Sequence, residues 1–206
     1  MTARLLLIRH GEPVGHTGRC VGHYDTELVP AATDTLRRAA QIAKPPRLVV
    51  SSDLRRAAGS AAILARAWNA ELRFDPRLRE LSFGDWEGHL WSDISRDDAE
   101  AMERWGSDWT RFSAPHGESG AELASRARDA LDDLTALARS SSSDVAVVSH
   151  AGWIRVAITI LLDEPLLSAF DRTIDYAHAA IVEIGDDNAT GVYWNLETLD
   201  VANARA

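Results

Sequence analysis

Three short apolar runs in this chain each end in residues that can do chemistry. Leu5-Leu6-Leu7-Ile8 runs into Arg9-His10-Gly11-Glu12, Leu48-Val49-Val50 into Ser51-Ser52-Asp53-Leu54-Arg55-Arg56, and Val145-Ala146-Val147-Val148 into Ser149-His150-Ala151-Gly152. Gathered in one pocket, His10, His150, Arg9 and Arg56 make a cationic site. They do not make a metal site, because the set lacks a carboxylate cluster or a closely spaced histidine pair. A phosphate dianion is the natural guest: a guanidinium offers paired, charge-assisted hydrogen bonds that match a tetrahedral oxyanion and still fit as it flattens during transfer. The same cations oppose protonation of a nearby imidazole, so one histidine can stay neutral and nucleophilic near pH 7. His10 is the candidate nucleophile, and neither metal nor organic cofactor is expected.

The elements that must position these residues follow from hydrophobic periodicity. Continuous apolar runs of this length read as strands covered on both faces. Between them Leu36, Ala39, Ala40 and Ala43, then Leu54, Ala58, Ala61, Ala62, Ala65 and Trp68, then Leu123, Ala127, Ala130, Leu131, Leu134 and Leu137 recur at helical spacing. Ile154 to Leu162 reads as a buried helix. Ser119 with Glu122 forms a capping-box signature, and Ser52 or Asp53 can cap the helix that carries Arg56. Ile181–Ile184 and Val192–Leu196 flank Asp186-Asp187-Asn188 and predict an edge hairpin. Ser140–Ser143 reads as a loop. From Phe83 to Gly117, Trp86, Trp91, Trp105, Trp109 and Phe112 lie among many acids with little strand pattern, which predicts an inserted helical cap. The expected fold is a three-layer α/β/α domain over residues 1–206, its central sheet mostly parallel with an antiparallel edge and a cap at about 83–117. Ligands of such sheets sit beyond the carboxyl ends of the strands, where these polar residues fall.

Composition narrows the partners. The chain has 206 residues, with 31 Asp+Glu against 22 Lys+Arg and a formal net charge of -9. That balance disfavours wrapping by nucleic acid or binding to an anionic membrane, both of which draw on excess lysine and arginine. No apolar run is long enough for a signal segment or a membrane span. The single cysteine, Cys20, forms no intrachain disulfide and reads as a packing residue, which suits a reducing cytoplasm. The expected partner is a small phosphate monoester, with a homodimer as the candidate assembly.

The ordered segments Leu7-Ile8-Arg9-His10-Gly11-Glu12, Gly22-His23-Tyr24-Asp25, Ser51-Ser52-Asp53-Leu54-Arg55-Arg56-Ala57, Leu78-Arg79-Glu80 with Phe83-Gly84-Asp85-Trp86-Glu87-Gly88, Gly117-Glu118-Ser119 and Val148-Ser149-His150-Ala151-Gly152 resemble the histidine phosphatase superfamily of phosphoglycerate-mutase-like fold. The resemblance implies that His10 is transiently phosphorylated, that Arg9, Arg56, His150 and the Ala151 backbone hold the phosphoryl oxygens, and that Glu80 donates a proton to the leaving alcohol. Many relatives have a phosphate-contacting asparagine shortly after Glu12. Here the chain reads Pro13-Val14-Gly15-His16-Thr17-Gly18, so the contact is missing or passes to His16 or Thr17.

Within the family, the middle segment is most similar to the α-ribazole phosphatase branch. This implies hydrolysis of α-ribazole 5′-phosphate in cobalamin nucleotide-loop assembly, with Trp86 and Trp109 as candidate stacking partners for a flat base. His16, Thr17, Val21 and Gly22 are further candidate substrate contacts. A broad-specificity or sugar-phosphate phosphatase uses the same centre, whereas a phosphoglycerate mutase would need longer shielding insertions. A non-catalytic phosphate-binding module would be expected to have lost one of His10, Arg9, Arg56, Glu80 or His150, and all five are present.

Overall fold

Consecutive residues of a strand face opposite sides of its sheet, so a run that is apolar throughout must be covered twice. The first strand, β1 (Ala3–Arg9), is built this way: Leu5 and Leu7 enter one buried cluster, Leu6 and Ile8 the other. This is seen in a computed structural model, which describes residues 3–141, 143–185 and 189–197. Along the chain follow α1 (Ala32–Ala39), β2 (Leu48–Ser51), α2 (Arg55–Trp68), β3 (Glu71–Phe74), α3 (Trp91–Asp97), α4 (Ala99–Ser107), α5 (Gly120–Ser141), β4 (Val145–Ser149), α6 (Ala151–Leu161), β5 (Ala179–Ile184) and β6 (Ala189–Leu196). The sheet order is β3-β2-β4-β1-β5-β6. The pairs β3/β2, β2/β4 and β4/β1 are parallel, while β1/β5 and β5/β6 are antiparallel. Helices α1 and α2 cover one face, and α5 and α6 the other, which gives the three layers expected.

Local chemistry explains most boundaries. The capping box at α5 forms: the Glu122 carboxylate accepts the Ser119 N–H at 2.7 Å, and the Ser119 hydroxyl accepts the Glu122 N–H at 3.3 Å. The expected cap of α2 by Ser52 or Asp53 does not form. Leu54 occupies the cap position without a side-chain bond, and the Arg55 N–H is satisfied by Asp25 from a distant loop at 2.7 Å. Asp53 is drawn off instead by Arg79, whose Nε donates to its carboxylate at 2.7 Å. Helix α1 ends at Ala39, short of Ala43, as the chain approaches Pro45-Pro46. Helix α5 continues through Ser141, so the loop expected at Ser140–Ser143 is helical in its first half, and Ser142 lies outside the described residues. The edge hairpin is present, but its turn residues Asp186, Asp187 and Asn188 also lie outside them. Strand β3 was not legible: Glu71-Leu72-Arg73-Phe74 is mostly exposed and lacks an apolar run, as an edge strand tolerates.

The segment between Phe83 and Gly117 is the expected cap, a 3₁₀ turn at Gly84–Trp86 followed by α3 and α4. Gly84 is required there: its φ is +50°, and a Cβ would lie 2.1 Å from the Pro115 carbonyl oxygen. The tryptophans correct the sequence expectation. Trp86 is 3% exposed, packs edge-to-face on Trp91 and Trp105, and donates its Nε1 hydrogen to Asp98. Trp109 is 7% exposed, wedged between Phe170 and Gly120. Both rings are spent on packing, so neither offers an open face for a base to stack upon. Cys20 is fully buried, as expected of a packing residue, and burial pushes its thiol up to about 12. Among the described residues no helix is long and apolar enough to cross a membrane.

Candidate active site

The parallel arrangement brings the carboxyl ends of β1, β2 and β4 side by side, and backbone bonds lock them. The His10 N–H donates to the Ser149 carbonyl at 3.0 Å, and the Ser52 N–H to that of Val148 at 2.9 Å. His10 and His150, far apart in sequence, therefore meet with ring centroids 5.0 Å apart and planes at 62°. His10 is 4% exposed and His150 is fully buried.

The hydrogen bonds of His10 fix its tautomer. Its Nδ1 lies 2.6 Å from the Gly11 carbonyl, which can only accept, so Nδ1 carries the hydrogen. Its Nε2 accepts from Arg56 Nε at 3.2 Å, so the lone pair on Nε2 faces the guanidinium. Burial first, then the charges of Arg56 and Arg9, hold His10 well below the ordinary imidazole value of 6.5. His150 is depressed in the same way, by burial and then by Arg56. Its Nε2 meets the Ser52 hydroxyl at 2.9 Å, while its Nδ1 is buried without a partner.

The arginines are anchored by backbone. Arg56, 1% exposed, donates to the carbonyls of Tyr24 at 3.0 Å and Gly22 at 2.5 Å in addition to His10. Gly22 takes φ +44°, a conformation that turns the loop toward the guanidinium. Arg9 donates to the Ile174 carbonyl at 2.7 Å, its Nε is buried without a partner, and its Cζ stacks 3.6 Å above the Tyr176 ring. Tyr176 also stands 5.6 Å from the His10 ring and 5.2 Å from His16, between centroids. Sequence reasoning missed Tyr176. The available signal is topological: β5 runs antiparallel to β1, so the residues just before β5 reach the end of β1, where the Ala177 N–H donates to the His10 carbonyl at 3.1 Å.

Glu80 is seated on the first turn of α6. Its carboxylate accepts the N–H groups of Gly152 and Trp153, each at 3.1 Å, and that of Leu81 at 3.0 Å. The backbone under it is latched from several sides. The Glu80 carbonyl accepts from His23 Nε2 and from Arg126, both at 2.7 Å, and Arg126 also bonds the carbonyls of Arg77 and Arg79 while pairing with Glu118. Arg126 is the second residue the sequence did not single out, as it sits mid-helix in α5 at a spacing that reads as surface. With Gly152 and Trp153 committed to Glu80, the Ala151 N–H alone among the first three of α6 is left without a bond to the described residues.

Of the other candidates, His16 lies at the site edge, its Nδ1 on the Pro13 carbonyl at 2.8 Å and its ring against Tyr176. Val21 is half-buried beside Gly22, and Thr17 is exposed with no hydrogen bond to the described residues. A cap cavity of about 490 Å³, lined by Arg104, Arg111 and Phe112 among others, contains none of the clustered residues. No group of three or more potential metal ligands exists among the described residues.

Residues 5–197 match the sequence profile of the histidine phosphatase superfamily, branch 1. The chain belongs to that superfamily. This histidine phosphatase is 36% identical over 173 residues to a glucosyl-3-phosphoglycerate phosphatase of Mycobacterium tuberculosis, covering 79% of this chain and 77% of the relative. It is 28% identical over 206 residues to an adenosylcobalamin/alpha-ribazole phosphatase of Salmonella typhimurium, covering 98% and 97%. Among solved structures it resembles a putative alpha-ribazole-5′-P phosphatase from Escherichia coli with a TM-score of 0.86 and 26% identity, covering 96% of this chain and 98% of that one. Of the segments that carried the family resemblance, those with His10, Gly22, Arg56, Glu80 and His150 meet at the one site, Glu118 supports it through Arg126 and the Ser82 N–H, and Gly84–Trp86 packs in the cap.

Proposed function

We propose that this histidine phosphatase hydrolyses a phosphate monoester through a phosphohistidine formed at His10 Nε2, with residues 1–206 acting as one domain. The observation that carries the reading is the tautomer of His10: the hydrogen is held on Nδ1 by the Gly11 carbonyl, which leaves the Nε2 lone pair facing the cationic end of the pocket. The phosphoryl group enters beside Arg56, whose Nε–H transfers its hydrogen bond from Nε2 to a phosphoryl oxygen. Arg9, His150 Nδ1 and the Ala151 N–H supply the remaining donors. The Nε2 lone pair attacks phosphorus, the P–O ester bond breaks, and the departing alcohol oxygen takes a proton from Glu80. Water then attacks the phosphohistidine, gives its proton to the Glu80 carboxylate, and the P–N bond returns its electron pair to Nε2. The decisive experiment is trapping by an alkaline denaturing quench, with p-nitrophenyl phosphate labelled in its phosphoryl group and chelator present. Wild type should yield an acid-labile labelled histidine and His10→Ala none. A folded wild type that turns over without label, or a His10→Ala variant equal to it, overturns the reading.

For the leaving alcohol, the end-to-end match with alpha-ribazole phosphatases supports α-ribazole 5′-phosphate. The buried Trp86 and Trp109 withdraw the stacking argument for it. A second reading, a phosphorylated hydroxy acid, is supported by the 36% identity to the glucosyl-3-phosphoglycerate phosphatase. Comparing kcat/KM for α-ribazole 5′-phosphate and glucosyl-3-phosphoglycerate separates the two.

A further inference from the structure

Arg155 lies outside the family-like segments, the last of which ends at Gly152. It lies on α6 four residues after Ala151, one turn on and along the same face, and helical side chains lean back toward the N-terminus, here toward the site. Its guanidinium makes no hydrogen bond or ion pair with any described residue, and its Nε is buried without a partner. What surrounds it is the ring of Phe170, 5.4 Å from Cζ, and the fields of Glu80 and Arg9. Phe170 is itself braced edge-to-face on Trp109 at 4.6 Å.

The other arginines of the site each hold at least one protein acceptor, Arg9 the Ile174 carbonyl although its Nε is unpartnered. Arg56 holds two carbonyls and His10, Arg126 holds three carbonyls and Glu118, and Arg79 grips Asp53. The Arg155 Nε forfeits hydration without return, while its Nη groups keep access to solvent, where a ligand can supply acceptors. The phosphoryl group does not need it, since Arg9, Arg56, His150 and the Ala151 N–H already converge there. The Glu80 carboxylate acts on Arg155 through its field, without a contact, and is committed to the α6 N-terminus.

We infer that Arg155 receives a second anionic group, a carboxylate or a second phosphoryl group, carried on the alcohol portion of the substrate. The inference rests on the phosphomonoesterase reading and narrows it to doubly anionic esters, a class to which α-ribazole 5′-phosphate, with its neutral base, does not belong.

The test uses matched pairs that differ in that one group: 3-phosphoglycerate against glycerol 3-phosphate for a carboxylate, and fructose 1,6-bisphosphate against fructose 1-phosphate for a phosphoryl group. Wild type should prefer the anionic member of at least one pair by about tenfold or more in kcat/KM, as one charge-assisted bidentate contact gives. Which pair shows the preference identifies the group. Arg155→Gln should bring that ratio close to one through KM, and Arg155→Lys should retain part of it. Wild-type ratios near one in both pairs, or a ratio unmoved in Arg155→Gln, overturn the assignment of Arg155 while leaving hydrolysis intact. Absence of turnover for all four esters and for p-nitrophenyl phosphate would instead remove the phosphomonoesterase reading and this inference with it. Should Arg155→Gln not fold, the wild-type ratios and Arg155→Lys still decide.

Discussion

The Nε–H of Arg56 points at the Nε2 lone pair of His10 from 3.2 Å. On the proposed mechanism, this donor occupies the nucleophilic atom before substrate arrives and is released to a phosphoryl oxygen as that atom attacks. The guanidinium can do this because its remaining nitrogens are tied to the carbonyls of Gly22 and Tyr24, which fix its plane. Arg56→Lys keeps the charge but has a single nitrogen for three acceptors. We expect kcat to fall by about a hundredfold, in line with the loss of one preorganised oxyanion donor. A kcat within a few-fold of wild type would remove Arg56 from the phosphoryl clamp.

His10 and His150 are buried neutral, both held well below 6.5 in the folded chain. In the unfolded chain each takes up a proton as the pH falls through 6.5, so below that value the unfolded state binds more protons and the fold loses stability. It regains stability as pH rises to 6.5 and gains nothing more from these groups above it. Each histidine contributes a slope of up to about 1.4 kcal/mol per pH unit. Denaturant midpoints between pH 5 and 8 check this: His10→Gln should flatten the acidic limb, and an unchanged limb would show that His10 is not buried neutral.

Much of this site was legible because a parallel sheet converts sequence into position. Once three apolar runs are recognised as central strands, their C-terminal neighbours must share one edge, and Arg9, His10, Arg56 and His150 follow. What escaped depends on contacts that periodicity does not encode. Tyr176 arrives because β5 enters antiparallel, Arg126 because a mid-helix arginine reaches carbonyls in another loop, and Asp25 because it caps α2 from across the fold. Trp86 and Trp109 were misplaced for a related reason: an aromatic in a short insertion reads alike whether it lines a cleft or fills a small core, and only packing decides.

Glu80→Gln keeps the shape of the side chain and removes the exchangeable proton. Substrates with poor leaving groups need that proton most, so the kcat of an alkyl phosphate should fall by about a hundredfold or more while p-nitrophenyl phosphate falls far less. Equal losses across leaving groups of different basicity would count against Glu80 as the acid.

A Cβ on Gly152 would stand 2.4 Å from Glu80 Oε1. The clashing atom is the end of a flexible side chain, so Gly152→Ala should fold with little change in thermal midpoint and move the carboxylate instead. The expected signature is a loss of about tenfold in kcat on alkyl phosphates with KM nearly constant, because the proton donor is misplaced while phosphoryl binding is untouched. A large drop in midpoint with normal specific activity of the folded fraction would show that Glu80 does not depend on this seat.

The Ser52 hydroxyl has one hydrogen, and its oxygen already accepts the Leu54 N–H at 3.3 Å. Given to His150 Nε2 at 2.9 Å, that hydrogen places the imidazole N–H on Nδ1, the buried nitrogen with no protein partner. On the proposed mechanism, His150 in that tautomer offers a phosphoryl oxygen a donor and not a lone pair, which would repel it. Ser52→Ala removes the constraint, freeing His150 to take the opposite tautomer, and leaves Nε2 buried without a partner. We expect kcat to fall by about tenfold, with nitrogen chemical shifts of His150 showing both tautomers where wild type shows only the Nδ1–H form. Ser52→Thr, which keeps the hydroxyl, should restore the single tautomer and most of the rate. If Ser52→Ala retains the Nδ1–H form, Ser52 does not set the orientation of the site.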